Sequence, residues 1–259
     1  MRRNHSLLRQ LVRREVEARY RGTAFGFVWS FISPVILLSV YTCIFSVVFN
    51  ARWGMANESR GMFALTAFCG MIAFNIVSEV WSRAPHLILS NVNLVKRVVF
   101  PLEILIPVAL GSALVQFMVG LIVWMFGWTL LTGTLPPATA LALPLILIPA
   151  LLYALGVGWL LASLGVFFRD LGQFVGLAIQ VLFFLTPIFF PLDKVPPTLQ
   201  KWLVLNPLCG VVENVRTALV FGSLPNFQTL LMNSLVALLV ALFGSWFFCR
   251  TKRAFADVI

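Results

Sequence analysis

The sequence predicts an all-α integral membrane protein that crosses the bilayer six times. Three observations predict this fold class: the composition, the spacing of the charged residues, and the side on which the basic residues lie. Hydrophobic residues make up 60% of the 259 residues and charged residues only 11%, and the mean hydropathy is +0.96. A soluble domain needs about a quarter of its residues charged. Most of the surface of this chain is therefore expected to face lipid.

Long stretches without a charged residue set the number of spans. A bilayer core about 30 Å thick takes roughly 20 apolar residues per helix, so the uncharged stretch 104–168 is far too long for one span. The segment TGTLPP at 132–137 is a turn signal that divides this stretch into two helices. The six predicted spans are residues 26–49, 62–82, 104–130, 141–166, 172–190 and 228–248.

The basic residues predict the orientation of these spans. With the N-terminus inside, fourteen of the 19 Lys and Arg residues fall on the cytoplasmic side and five on the other side. Cytoplasmic loops carry the excess of Lys and Arg in membrane proteins, so both termini are predicted to be cytoplasmic. Contact with anionic lipid explains the net charge of +10, and no nucleic acid partner is expected.

Three segments outside the spans are expected to have structure of their own. Residues 1–24 are predicted to form a cytoplasmic amphipathic helix at the membrane interface, with apolar residues on one face and arginines on the rest. The remaining residues, 25–259, form the transmembrane domain. Within it, 83–101 is predicted to be a cytoplasmic loop with a short helix. The apolar segment 191–226 is predicted to form short re-entrant helices outside, between spans five and six.

Residue patterns that support catalysis or metal binding are missing from the sequence. His5 and His86 are the only histidines, so no HExxH pair is possible, and no lysine follows the glycine of a GxxxxGK[ST] loop. The span interiors carry no ionisable residue, which disfavours an ion-coupled transporter. Glu79 and Glu103, near span ends, are expected to pair with basic neighbours. An intramembrane enzyme of lipid-linked sugars and a structural scaffold are weaker alternatives, and no catalytic residue or metal is predicted.

Four motifs occur in order along nearly the whole chain. They are RYRGTAFG at 19–26, NLVKRVVFP at 93–101, FFRDL at 167–171, and NPL at 206–208, which is followed by Glu213, Arg216 and Gly222. Together they resemble the membrane subunits, or permeases, of ABC-2 type polysaccharide exporters. The resemblance is strongest to the O-antigen exporters, and the exporters of capsule and teichoic acid are near relatives.

This resemblance implies a homodimeric permease in the bacterial inner membrane. It implies two copies of a separate ABC ATPase subunit, which would bind the ATP and Mg²⁺, while this chain itself binds no cofactor. The substrate it implies is a polysaccharide linked to undecaprenyl pyrophosphate, moved through a channel between protomers. Export of capsule or teichoic acid is the main alternative, and an ABC-2 type exporter of drugs or lipids is a weaker one.

The resemblance also assigns roles to individual residues. The interface helix and the first cytoplasmic loop are expected to contact the ATPase, through Arg13, Arg14, Glu15, Asn91, Asn93 and Lys96. Basic residues at the cytoplasmic boundary are expected to attract the pyrophosphate, although anchoring to ordinary lipid phosphates explains them equally well; these are Arg19, Arg21, Lys96 and Arg97.

Two further groups are predicted at the channel and at its outer end. Phe74, Trp81, Phe183 and Phe184 are candidate channel-lining aromatics, for which lipid contact is the alternative. Glu213 and Arg216 lie three residues apart and are expected to pair on one short helix, either as an outer gate or merely to neutralise each other.

Overall fold

The computed structural model describes residues 2–23, 25–44, 53, 60–95 and 100–258. Within these ranges the regular structure is helical and contains no strand. Single-turn helices, including Val92–Val95 and Leu143–Ile146, connect longer ones. The longer helices are α1 (Arg2–Tyr20), α2 (Trp29–Tyr41), α3 (Arg60–Leu87), α4 (Leu105–Thr132), α5 (Ile148–Phe167), α6 (Leu171–Leu185), α7 (Pro197–Val204), α8 (Pro207–Leu219) and α9 (Phe227–Thr251).

Five helical segments of the described residues are long and apolar enough to cross a membrane. They correspond to five of the six predicted spans, and they are Gly26–Ile44, Gly61–Leu87, Leu102–Thr132, Ala138–Phe167 and Phe227–Ala254. The sixth, α6, has 15 residues, which is about 22 Å of helix at 1.5 Å per residue. The chain is therefore an α-helical membrane protein, and α6 alone is too short for a full crossing.

Two predicted boundaries differ from the structure. The span predicted at 172–190 ends at Leu185, because Pro187 disfavours a helical conformation in the residue before it, and Thr186 is extended with ψ 135°. The span predicted to end at residue 82 continues to Leu87, through Pro85, so α3 extends into the predicted loop 83–101. The rest of the described loop is a 3₁₀ turn at Leu89–Asn91 and the single-turn helix after it.

Helix α3 lies at the centre of the bundle. It contacts α4, α5, α6 and α8, and most of its side chains are buried. A helix that is hydrophobic on all sides is expected to be enclosed by other helices. The segment Gly26–Ile44 is the opposite case, since only 6% of it is buried on the protomer and eleven of its 19 residues are exposed. Its apolar side chains are therefore available to lipid or to a second copy of the chain.

Helices α5 and α9 pack with their backbones in close contact. A Cβ atom added to Gly244 would lie 2.0 Å from the carbonyl oxygen of Gly156, and one added to Gly156 would lie 2.7 Å from the Cα of Ala241. Small residues permit such an approach between membrane helices, where van der Waals packing replaces the hydrophobic effect as the driving force. This contact fixes the last membrane helix against the bundle.

We expect Gly244→Val to destabilise the protein, because its side chain cannot fit against the backbone of α5. Overpacking of this kind costs about 1–3 kcal/mol or more, and it should lower the thermal unfolding temperature of the purified protein in detergent. Gly176→Ala in α6 is the matched control, since a Cβ there meets nothing within 4 Å. Equal unfolding temperatures for the two variants would contradict the close contact of α5 and α9.

Candidate functional site

The alternating helices bring the polar groups of the chain to two ends of the bundle. One end, here called the basic end, holds the C-termini of α3, α5 and α9, the N-termini of α4 and α6, and helix α1. Contacts between Gly165 and Pro85 and between Gly172 and His86 close this end. The other end, here called the α8 end, holds α7 and α8.

An ion-pair network at the basic end joins α1 to α3. Arg83 of α3 pairs with Glu15 of α1 and lies 3.7 Å from Glu79, and Glu79 in turn pairs with Arg19 of α1. Burial alone would lower the pKa of Arg19. The hydrogen bond from Arg19 to Glu79 and the negative charge of Glu79 raise this pKa by more than burial lowers it, so the net change is upward. The four charges alternate in sign and are each partly buried, so α1 is held to α3 electrostatically.

The predicted ATPase-contacting residues of α1 differ in how available they are. Arg13 and Arg14 are exposed, and Arg13 forms an ion pair of 2.7 Å with Glu17 on the same helix. Such exposed pairs contribute little to stability, so both arginines are available to a partner. Glu15 is held by Arg83, and this contact within the chain accounts for its position.

The predicted coupling loop is described only in part. The Asn91 amide donates hydrogen bonds to the carbonyl oxygen of Leu87, at 2.9 Å, and to Ser90 Oγ, at 3.3 Å, so it caps the end of the long helix. Asn93 is exposed. Lys96, predicted for both coupling and phosphate binding, lies outside the described residues, as does Arg97.

The remaining predicted phosphate-binding residues are not equivalent. Arg19 is neutralised by Glu79. Arg21 is exposed and, with Arg14 and the ring of Phe27, lines an open cavity of 680 Å³ between α1 and the start of the first span. Glu17 also lines it. Guanidinium groups beside an apolar wall suit a phosphorylated head group that carries an acyl chain.

The four predicted channel aromatics separate into two pairs. Phe74 is 2% exposed and packs in the core, and the Trp81 indole, also buried, donates a hydrogen bond of 3.2 Å to the carbonyl oxygen of Tyr153. In this conformation these two side chains belong to the protomer core and line no open surface. Phe183 is partly buried, with its ring 5.4 Å from that of Phe74, while Phe184 is 66% exposed.

Sequence reasoning missed a polar cleft at the level of the membrane helices. A cavity of 210 Å³ between the first span, α3 and α4 is lined mainly by apolar residues, and its polar part is supplied by Arg19, Asn75, Ser78, Glu79 and Gln116. Asn75 is exposed on a helix that is otherwise mostly buried. The Gln116 amide donates a hydrogen bond to the hydroxyl of Tyr20. Asn75 and Gln116 carry polar amide groups within otherwise apolar spans. These two residues were the feature of the sequence from which the cleft could have been predicted.

Arg216 of α8 is the central residue of the α8 end. It is 1% exposed, and its Nη1 donates a hydrogen bond of 2.7 Å to Glu213. Its Nη2 donates to the carbonyl oxygens of Pro187, at 2.6 Å, and Ile188, at 3.2 Å. Its guanidinium carbon lies 4.4 Å from the centre of the Trp53 ring. The buried charge is therefore balanced by a carboxylate, two carbonyl dipoles and an aromatic face.

A second polar contact fixes the same two segments. The Asn206 side chain accepts a hydrogen bond of 3.0 Å from Leu208 N and so caps the N-terminus of α8. Its amide donates to Thr186 Oγ1 at 2.8 Å, and Thr186 donates back to the carbonyl oxygen of Leu182 at 2.7 Å. Arg216 and Asn206 together attach α8 to the residues that follow α6.

We expect Arg216→Met to destabilise the protein by about 1–3 kcal/mol, because it removes the partner of Glu213 and leaves the carbonyl oxygens of Pro187 and Ile188 without their donor. Arg216→Lys should recover only part of this loss, since one ammonium group cannot reproduce the fork of the guanidinium. Thermal unfolding of the purified protein measures both effects. The control is Lys201→Met, an exposed basic residue at the same end. Similar unfolding temperatures for Arg216→Met and Lys201→Met would refute the structural role of Arg216.

The comparisons with known proteins agree on one family. Residues 6–220 match the ABC-2 type transporter family. The chain is 27% identical to the O-antigen export system permease protein RfbA of Myxococcus xanthus, over 98% of this chain and 95% of that protein. It is 23% identical to the protein of that name from Klebsiella pneumoniae, with the same coverage. It is 29% identical to the polysialic acid transport protein KpsM of Escherichia coli, over 88% of each chain. Since the family match covers most of its length, the chain belongs to the ABC-2 type transporter family of membrane proteins.

Proposed function

We propose that this chain is the transmembrane subunit of an ATP-driven exporter of a lipid-linked cell-surface polysaccharide. The observation that carries this proposal is the match to relatives named as O-antigen export permeases over almost the full length of both chains. The relative named for polysialic acid transport matches over less of the chain. The O-antigen permeases match more of the chain at 23–27% identity, and the polysialic acid relative matches less of it at 29%, so O-antigen is proposed first and capsule second.

The energy source is a separate subunit in this proposal. The sequence has no GxxxxGK[ST] loop, and Glu79, the acidic residue of the α3 span, is paired with Arg19 and Arg83 within the chain. Two ATPase subunits would therefore bind ATP and Mg²⁺ and act on a homodimer of this chain. The exposed apolar faces of the first span and of α6 are suited to lipid and to a second protomer.

Helix α1 is the proposed contact with the ATPase. Arg13 and Arg14 are exposed on it, and the network of Glu15, Arg83, Glu79 and Arg19 connects it to α3. Movement of α1 by the ATPase would therefore be transmitted directly to the central helix of the bundle.

The cavity beside α1 is the proposed access site for the pyrophosphate of the lipid carrier. Arg14 and Arg21 lie in its wall, and charge-assisted hydrogen bonds from guanidinium groups to phosphate are among the strongest available. Undecaprenyl pyrophosphate would place its chain along the apolar wall. Lys96 and Arg97, which lie outside the described residues, stay proposed as further phosphate-binding residues.

The proposed topology has six crossings with both termini in the cytoplasm. Helix α6 and the extended residues that follow it would together make the fifth crossing, and α7 and α8 would form the re-entrant segment on the outer side. The excess of Lys and Arg at the basic end supports the cytoplasmic location of that end. Glu213 and Arg216 would then lie at an outer gate.

Cysteine labelling tests this topology on either side of α6. In a chain with Cys43, Cys69, Cys209 and Cys249 replaced by Ser, single cysteines are introduced as Arg169→Cys and Lys201→Cys, both at exposed positions. We expect a membrane-impermeant maleimide to label the second in intact spheroplasts and the first only after lysis.

The two possible deviations have different meanings. Labelling of both positions from the same side would show that α6 does not cross the membrane, and would refute the six-span topology. Labelling of Arg169→Cys alone from outside would keep the crossing and reverse the orientation.

The export function is tested in liposomes. We expect ATP-dependent translocation of a glycan linked to undecaprenyl pyrophosphate when this chain is reconstituted with its ATPase subunit. Either component alone should give none, and an ATPase variant that cannot hydrolyse ATP is the control. Transport by this chain alone would overturn the division of labour. Transport of drugs or phospholipids but no glycan would refute the proposed substrate.

A further inference from the structure

The α8 end contains a cavity to which the proposed function above assigns no ligand. It has a volume of 540 Å³ and is lined by Trp53, Gln200, Glu213, Arg216 and Phe221, together with Pro191 and Leu192. This volume falls within the range of about 300–1,000 Å³ that is typical of small-molecule sites. The cavity therefore has the size and the mixed polar and apolar wall of a binding site.

Gln200 presents a fixed hydrogen-bond acceptor in this wall. Its Nε2 donates to the carbonyl oxygen of Leu192 at 2.9 Å and to that of Val195 at 2.8 Å. Both amide hydrogens are thus used within the protein, and the orientation of the side chain is set. Oε1 accepts no hydrogen bond from the part of the chain that the structure describes, so it is available to a hydroxyl donor.

Glu213 presents a second acceptor whose charge is already balanced. Its Oε1 accepts the hydrogen bond of 2.7 Å from Arg216, and its side chain is only partly buried. The pair has no net charge, so it attracts neither a cation nor an anion over a long distance. The pair therefore favours a neutral ligand that donates hydrogen bonds.

Phe221 supplies an apolar surface at the same cavity. It lies two residues after the end of α8 and is 49% exposed, so one part of the ring is free to contact a ligand. An aromatic ring packs well against a flat apolar surface of a ligand. A neutral ligand with neighbouring hydroxyl groups and an apolar C–H face is a sugar.

We propose that this cavity is a saccharide-binding site that holds a neutral sugar unit of the glycan at the α8 end. Gln200 and Glu213 accept hydrogen bonds from its hydroxyl groups, Phe221 packs against its C–H face, and Arg216 holds the carboxylate in place. The choice of a glycan among neutral polyols rests on the proposed export function. These contacts do not select one particular sugar. A site that successive units of a glycan pass must accept different sugars in the same way.

Saccharide binding to the purified chain tests this site. The chain is placed in lipid nanodiscs, because detergents with sugar head groups would compete with the saccharide. The probes are mannotetraose and chitotetraose, with tetraethylene glycol as a flexible polyether of similar length, and saturation-transfer NMR measures binding. We expect both saccharides to bind and the polyether not to bind. Phe221→Ala should weaken saccharide binding about five- to tenfold. Phe221→Leu, which keeps apolar volume without the ring, should also weaken it.

Phe227→Ala is the matched control, because Phe227 is an exposed aromatic at the N-terminus of α9 that does not line the cavity. It should leave saccharide binding unchanged, and the unfolding temperatures of all three variants should match that of the parent chain. Equal loss of binding in Phe227→Ala and Phe221→Ala would overturn the site.

The remaining outcomes separate this site from the export function. No saccharide binding by a chain that exports glycan with its ATPase would refute the site and leave the function intact. Equal binding of tetraethylene glycol would also refute it, since the cavity would then be a general apolar pocket. Saccharide binding that Phe221→Ala weakens, in a chain that exports no glycan, would support the site and contradict the export function.

Discussion

The buried guanidinium of Arg216 is the constraint on which the α8 end depends. A charge removed from water must be matched by opposite charge and hydrogen-bond acceptors, and here Glu213 and the carbonyl oxygens of Pro187 and Ile188 provide them. These groups come from α8 and from the segment after α6. Because one side chain holds these groups together, α8 is fixed relative to the end of α6.

The two ends of the bundle use charge in different ways. At the basic end, Glu15, Arg83, Glu79 and Arg19 are partly exposed and share partners, so their geometry can adjust as α1 moves. At the α8 end the ion pair is more buried and is reinforced by backbone acceptors. This contrast agrees with the proposed function, in which an ATPase would act on the basic end and the α8 end would hold the glycan.

Most of the helices were predictable because each is specified locally. Apolar residues without charges select a membrane helix wherever the run is long enough, which located the segment 102–132 and α9 to within a few residues. The end of α6 was predicted at residue 190, but the helix ends at Leu185. The uncharged, apolar stretch continues to residue 192, while Pro187 ends the helix earlier. The sequence also suggested, from their spacing, that Glu213 and Arg216 pair.

Side-chain surroundings could not be obtained in the same way. Phe74 and Phe184 look alike in hydropathy, yet one is in the core and the other is exposed, because burial depends on which helices pack around each face. By itself the sequence determined that the chain is a helical membrane protein and which end carries the excess of positive charge, since both follow from local composition. Only the tertiary structure decided that Gln200 and Phe221 share a cavity with Trp53, because that requires residues distant along the chain to meet.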